Sequence, residues 1–306
     1  MICDLNVIYP VTDFTTRITE KDLTKLKCGL STLEQLGYTH VALNFRYSPQ
    51  LVKKIPNNVN ELNPIDVTQL QEFKERLKIF TRITVIANDT SQFQHIAKFQ
   101  QVFDLVTIEP TNEKVLQTAI SNLDLDLISM DMANRLPCYM KHKTVCSAVE
   151  KGIYFEFKYN DLINSSTRSM TISNIKQLIR ASRSRGMVCS SGLDIDHLHF
   201  VRSYHDVVNL LCVIGLDNAR ASQLFKDWSS KVLLNGRLRV KSFKQTVVIS
   251  GDDGLIDNRL ETSVSAESKP GVSNTKMDAS GYTHEKRKLD LLEREKAKLE
   301  AKKQKL

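Results

Sequence analysis

The sequence predicts an α/β barrel of about seven βα units, and three observations carry that expectation. Over the first 250 residues short β-branched runs alternate with longer stretches of helical periodicity, the pattern of parallel βα units. Several of the short runs are apolar at nearly every position, as strands buried on both faces are. The first strand leads into no glycine-rich turn, which weakens the dinucleotide-binding version of the alternative, an open doubly wound sheet.

The expected strands are, in order, "MICDLNVI", "HVALNF", "RITVIA", "DLVTIE", "LDLISM", "IYFEFKY" and "MVCSS". Between them, "EKDLTKLKCGLSTLEQLG", "PIDVTQLQEFKERLKIF", "TSQFQHIAKFQQVF", "NEKVLQTAISNL", "CYMKHKTVCSAVEKG" and "TISNIKQLIRASRSRG" space their apolar residues three or four apart. Several begin with Thr, Asp, Ser or Asn and three end in Gly, as capped helices do. A further helical stretch lies near "DVVNLLCVIGL". That stretch is far shorter than the roughly 20 residues of a membrane span, so a soluble chain with no membrane partner is expected.

The barrel is expected to occupy 1–250. From Gly251 the composition becomes polar and aperiodic, with six acids against three bases over 251–283, which reads as a disordered linker. The tail 284–306 carries nine Lys and Arg against five acids with Glu-to-Lys spacing, and reads as a charged helix. With the tail at +4 and the linker at −3 out of a total of +8, the first 250 residues hold +7. A basic folded part suits a polyanionic partner. The six cysteines show no CxxC pair and indicate a reducing compartment.

A barrel of this kind gathers its chemistry at the C-terminal ends of its strands. Asp4, Asn6, Asn44, Arg46, Glu109, Asp131, Glu156, Lys158, Ser190 and Ser191 are expected on that rim. A hydrolytic metal centre wants imidazole and carboxylate ligands around an open position, and none of these strand ends carries a histidine. The acid- and histidine-rich "LDIDHLHFVRSYHD" reads as a polar helix start with Asp as its cap, because residues two apart on a helix point away from each other. "VCSSG" lacks the elbow and base of a nucleophile and reads as packing and turn chemistry. Basic residues recur in two groups, Arg168, Lys176, Arg180, Arg183 and Arg185 on one unit, and Lys231, Arg237, Arg239, Lys241 and Lys244 after the last expected helix. Both suit phosphate contacts or a solvated helix face.

The segments "DLN", "LGYTHVALN", "IFTRITVI", "LDLDLISM", "GIYFEFKYN" with "STRSMTIS", "VCSSG", "YHDVVNLLCVIGL" and "KVLLNGRLR" stand in one order over about the first 240 residues. Together they resemble the thirty-kilodalton protein subunit family of eukaryotic ribonuclease P and ribonuclease MRP. The resemblance implies a barrel similar to the polymerase and histidinol phosphatase type, whose first strand carries a metal-binding HxH pair. Asp4 and Asn6 stand at those positions here, a degenerate metal site with no replacement set in view.

The resemblance further implies a chain that is not itself the catalyst and binds no cofactor of its own. In the family the RNA subunit, with Mg2+, removes the 5′ leader of precursor tRNA or processes precursor rRNA. The implied partners are the ribonuclease P and MRP RNAs and a small ferredoxin-like protein. The expected location is the nucleus, including the nucleolus; the tail lies beyond the resemblance, and by composition its runs "KRK" and "KKQK" suit an import receptor or, equally, a solvated charged face with no partner. Arg46, Arg82, Lys158, Arg168, Arg237 and Arg239 lie in or beside the matching segments and are the RNA-binding candidates. Arg168 and Arg237 are expected to contact phosphates, and Arg82, at the start of its expected strand, to be structural. A metal-dependent phosphoesterase and a protein-only interaction module remain as competing readings.

Overall fold

The computed structural model describes residues 1–49, 55–56, 58 and 61–241, and the expected linker 251–283 and tail 284–306 lie outside them. The chain divides into a unit of residues 1–262 and a second of 263–306. Seven strands, all parallel, hydrogen-bond in sequence order: β1 (Cys3–Ile8), β2 (His40–Tyr47), β3 (Lys78–Ala87), β4 (Leu105–Pro110), β5 (Leu127–Ser129), β6 (Tyr154–Lys158) and β7 (Met187–Ser190). The barrel closes where Val7 meets Leu193 just after β7, through Ile8 N–H to the Leu193 carbonyl at 2.8 Å and Leu193 N–H to the Asn6 carbonyl at 3.1 Å.

Helices α1 (Glu20–Gln35), α2 (Ile96–Val102), α3 (Glu113–Asn122), α4 (His142–Glu150), α5 (Asn160–Ile163) and α6 (Arg168–Ser182) connect the strands. Their apolar stripes lie against the outward residues of the sheet, Val41, Leu43, Phe45, Ile83, Val106, Ile128 and Phe155 among them. Helices α7 (Tyr204–Ile214), α8 (Asn218–Phe225) and α9 (Asp227–Lys241) follow the last strand. Among the described residues no helix is long and apolar enough to cross a membrane.

Two expected elements differ. "PIDVTQLQEFKERLKIF" forms only a 3-10 stretch over Val67–Phe73, and its last residues open β3, which therefore starts at Lys78. The register explains this: Lys78, Ile79 and Phe80 pair with His40, Val41 and Ala42, so Ile79 faces the helices while Phe80 enters the barrel. Arg82 consequently sits in the middle of its strand. The second difference is α9, whose residues the sequence places after the last helix. Its Val232 and Leu233 cover the N-terminal mouth of the barrel and pack on the inward Leu5, Ala42, Phe80, Leu105, Leu127, Tyr154 and Val188. Gly236 lets it approach: a Cβ there would stand 2.3 Å from the Asp104 carbonyl oxygen.

Candidate functional site

Above that apolar floor the inward positions turn polar, and most of them are committed to one another. Arg82 has no exposed surface, and one terminal nitrogen donates to the Leu5 carbonyl and to Glu156 Oε1, each at 2.6 Å. The other meets Glu156 Oε2 at 2.5 Å, so the carboxylate is held in a two-pronged pair. Ser190 Oγ also donates to Oε1, at 2.5 Å, and Asn6 Nδ2 to Oε2, at 3.3 Å. The chain of bonds continues from Asn44 Nδ2 to Asn6 Oδ1 and from Thr84 Oγ1 to Asn44 Oδ1, both 2.7 Å. Burial pushes the Glu156 carboxyl up, but the Arg82 charge and the hydrogen bonds from Arg82, Ser190 and Ser129 outweigh it and hold the group below its usual range.

A divalent ion does not fit this donor set. Glu156 is already neutralised by a guanidinium, Asn6 supplies a neutral amide committed to its neighbours, and a metal would have to displace Arg82 from the centre of the barrel. Asp4 and Asn6 do not converge either. The pairing of β1 with β2 is irregular between Asp4 and Val7, which sends Asn6 inward and leaves Asp4 at the seam. There Asp4 Oδ1 accepts from Ser191 N–H at 3.0 Å and from Asn6 N–H at 3.2 Å. Its Oδ2 is buried without a hydrogen-bond partner among the described residues, and burial raises the carboxyl.

At the C-terminal rim Arg46 pairs with Glu109 at 3.1 Å. Lys158 lies across Gly192, where a Cβ would meet Lys158 Cδ at 2.6 Å. Asp131 is spent on its own loop, accepting from Ala133 N–H at 3.1 Å and Asn134 Nδ2 at 2.9 Å. Cys189 is fully buried, and burial pushes its thiol well up, which makes it inert. The "LDIDHLHF" segment corrects an expectation: it caps no helix. Ser203 caps α7, Asp196 pairs with Lys25 at 2.6 Å, and His197 and His199 lie about a 3-10 turn with their ring centroids 5.9 Å apart. Among the described residues no group of three or more His, Cys, Asp or Glu side chains is placed to hold a metal.

The six RNA-binding candidates stand in different surroundings. Arg82 is internal and reaches no surface. Arg237, 4% exposed, pairs with Asp104 at 3.3 Å, and Arg239 holds both oxygens of Asp126 at 2.6 and 2.7 Å. Asp104 and Asp126 sit just before β4 and β5, so these two arginines fasten α9 over the barrel mouth. Arg237, expected to contact phosphate, is buried and engaged in this latch. Arg168 is exposed, but its guanidinium donates to the Leu162 and Ile163 carbonyls at 3.0 and 2.7 Å, closing the end of α5. Arg46 and Lys158 remain on the rim.

Lys143, Lys176, Arg180, Arg183 and Arg185 behave differently. All are exposed, on α4, on α6 and in the turn after it, and none pairs with a described acidic residue. Four of them are legible in the sequence as one basic unit. Lys143 is not, because its neighbourhood with α6 is a matter of tertiary packing, marked by the His142 Nδ1–H bond to the Ala181 carbonyl at 2.6 Å.

Comparison with known proteins bears on all of this. The family description "RNase P subunit p30" matches residues 1–241. Ribonuclease P/MRP protein subunit RPP1 of Saccharomyces cerevisiae is 40% identical over 84% of this chain and 88% of its own length. Probable ribonuclease P protein subunit 3 of Schizosaccharomyces pombe is 32% identical over 80% of this chain and 97% of its own. A chain from a cryo-EM structure of archaeal ribonuclease P with mature tRNA superposes with a TM-score of 0.58, covering 81% of this chain and 97% of that one. At 14% identity that likeness speaks for the fold. The chain belongs to the ribonuclease P subunit p30 family.

Proposed function

We propose that the chain is a protein component of the ribonuclease P and ribonuclease MRP ribonucleoproteins and leaves the chemistry to their RNA. The single observation that carries the non-catalytic part is the Arg82–Glu156 pair, which spends the barrel's central carboxylate on a side chain of the protein itself. The yeast relative's description as a ribonuclease P/MRP subunit supports the assembly part. A folded RNA brings phosphates together, and cationic protein surface offsets their repulsion without reading bases. The substrates are then precursor tRNA and precursor rRNA, the Mg2+ belongs to the RNA, and a small ferredoxin-like protein is a neighbour in the particle.

The test is to purify the tagged full chain from cells, sequence the RNA that accompanies it, and assay the isolated chain with precursor tRNA and divalent metal. Ribonuclease P and MRP RNAs should copurify, and the isolated chain should leave the precursor intact. Metal-dependent cleavage by the chain alone, abolished by Glu156→Gln, would overturn the scaffold reading. The location we propose is nuclear, directed by "KRK" and "KKQK" in the tail. Removal of residues 252–306 should then reduce nuclear accumulation, and unchanged imaging of the truncated chain would refute it.

A further inference from the structure

On the outer wall of the barrel, where the start of α4 meets the later turns of α6, a cavity of about 310 Å3 is lined by Tyr139, His142, Ser173, Gln177 and Arg180 among others. Such a volume lies at the small end of ligand pockets, about 300 to 1,000 Å3, and suits one flat group better than a folded element. Tyr139 stands at its edge with 74% of its surface in water. A ring so exposed forgoes apolar burial that the fold could have used. His142 is fixed on another side, its Nδ1–H held by the Ala181 carbonyl. Arg180 lies in the last turn of α6 and makes no ion pair with a described residue.

The surroundings define the charge of what fits. From Arg168 to Arg185 the chain carries five basic residues and no acid. After α6, Arg183 and Ser184 both adopt left-handed backbone, with φ of 53° and 59°, a conformation that costs non-glycine residues energy. The turn they make leaves Arg183 and Arg185 exposed just beyond Arg180 in the chain, and Lys143, next to the lining residue His142, is exposed on α4. An aromatic face beside unpaired cations, with Ser, Gln and His at hydrogen-bonding range of the cavity, is the chemistry of nucleotide binding: the ring stacks a base and the cations meet phosphates. A protein segment would instead ask for apolar walls or acidic counter-charge.

We propose that this notch receives one unpaired nucleotide of RNA, its base stacked on Tyr139 and its phosphate on Arg180, with Lys143, Lys176 and Arg183 meeting the flanking phosphates. The proposal rests on the ribonucleoprotein reading and adds to it a defined surface and a preference for single strands.

The test uses the full chain and two labelled probes, a uridine octamer and an RNA duplex of equal length, with affinity read by fluorescence anisotropy at several salt concentrations. Tyr139→Ala should weaken octamer binding about tenfold, while Tyr139→Phe, which keeps the ring, should stay within about twofold of the parent. Arg180→Ala should flatten the logarithmic salt dependence by about 0.7, since one phosphate is no longer neutralised by the protein. Duplex affinity should not follow Tyr139. A 4-thiouridine octamer should crosslink the unaltered chain in the peptide containing Tyr139 and His142, a readout independent of any variant's folding. Octamer binding unchanged in both alanine variants, equal weakening for duplex and octamer, or crosslinks elsewhere would overturn the notch. So would intact RNA binding with loss of a protein subunit from particles carrying Tyr139→Ala, since that assigns the notch to a protein. If cellular RNA copurifies with the chain while these tests fail, the ribonucleoprotein reading stands and the notch alone falls. If no RNA copurifies, the reading beneath it falls.

Discussion

Inside the barrel, Arg82 has no exposed surface and its two terminal nitrogens grip Glu156; on the α4–α6 wall, Arg180, Arg183 and Arg185 face water and make no ion pair with a described residue. The same side chain meets opposite demands in the two places. In the interior a guanidinium is tolerated because its fork satisfies a carboxylate, a carbonyl and a threonine hydroxyl together. On the wall it stays hydrated, its donors not spent on any described acid. Interior charge thus holds the fold, and surface charge is what remains for binding. Each region should therefore respond to substitution in its own way.

The largest effect should come from separating the internal pair. Arg82→Met leaves Glu156 charged, buried and short of its partner, which should cost about 3–5 kcal/mol in urea unfolding. Changing both, Arg82→Met with Glu156→Leu, should recover much of that loss, because two apolar groups leave no stranded charge. A loss below about 1 kcal/mol in the single variant would show that the interior is wetter than its geometry implies and would erase the contrast.

Next is the lid over the barrel mouth. Gly236→Ala places a methyl 2.3 Å from a backbone oxygen that cannot swing away, so α9 must lift or bend. The helical preference of Ala over Gly, about 1 kcal/mol, works the other way. A net loss of about 2 kcal/mol in thermal unfolding is expected, because overpacking against backbone exceeds that gain. An unchanged or raised midpoint would mean that α9 is not fastened by Arg237 and Arg239 as described.

The sequence carries what is local and conceals what is not. All seven strands are readable because burial on both faces leaves long apolar runs such as "HVALNF" and "DLVTIE". The start of β3 is hidden because "KERLKIF" satisfies a helical spacing, and only its pairing with β2 settles Lys78 as strand. α9 escapes because Gly236, which its close approach requires, interrupts an otherwise helical run. The fates of the arginines depend on partners far along the chain: Glu156 lies 74 residues from Arg82, and Asp104 lies 133 from Arg237. No local periodicity announces such pairs. The "DLN" stretch is visible as unusual, yet the irregular pairing that splits Asp4 from Asn6 is a property of the closed sheet.

A smaller effect tests the barrel mouth through pH. His40 lies 8% exposed beside Phe80, and burial, with Lys78 and the chain N-terminus adding to it, lowers its pKa from 6.5 to about 4. The folded state therefore keeps the ring neutral where the unfolded chain protonates it. Stability should fall as pH drops from about 6.5 toward 4, by on the order of 1–2 kcal/mol once residual solvent access is allowed for, and show no further loss from this group below that range. His40→Gln should flatten that limb in pH-dependent urea unfolding, and an unchanged slope would place the sensitivity elsewhere.

The smallest effect should have the opposite sign, and it sharpens the contrast most. Arg183 ends α6 at φ 53°, a left-handed conformation that glycine adopts freely and a side chain disfavours by about 1–2 kcal/mol. Arg183→Gly relieves that strain but gives the unfolded chain more freedom, which offsets about 0.5–1 kcal/mol of the gain. The net should lie between zero and about 1 kcal/mol of added stability, since the side chain is exposed and forms no ion pair with a described residue. If the proposed notch binds RNA, affinity should move the other way, with a shallower salt dependence, because one cation beside it is gone. Measured together by calorimetry and anisotropy, a more stable and weaker-binding protein would mean that the wall keeps a strained arginine for its charge. A destabilised protein would mean that Arg183 serves the fold, as Arg82 does.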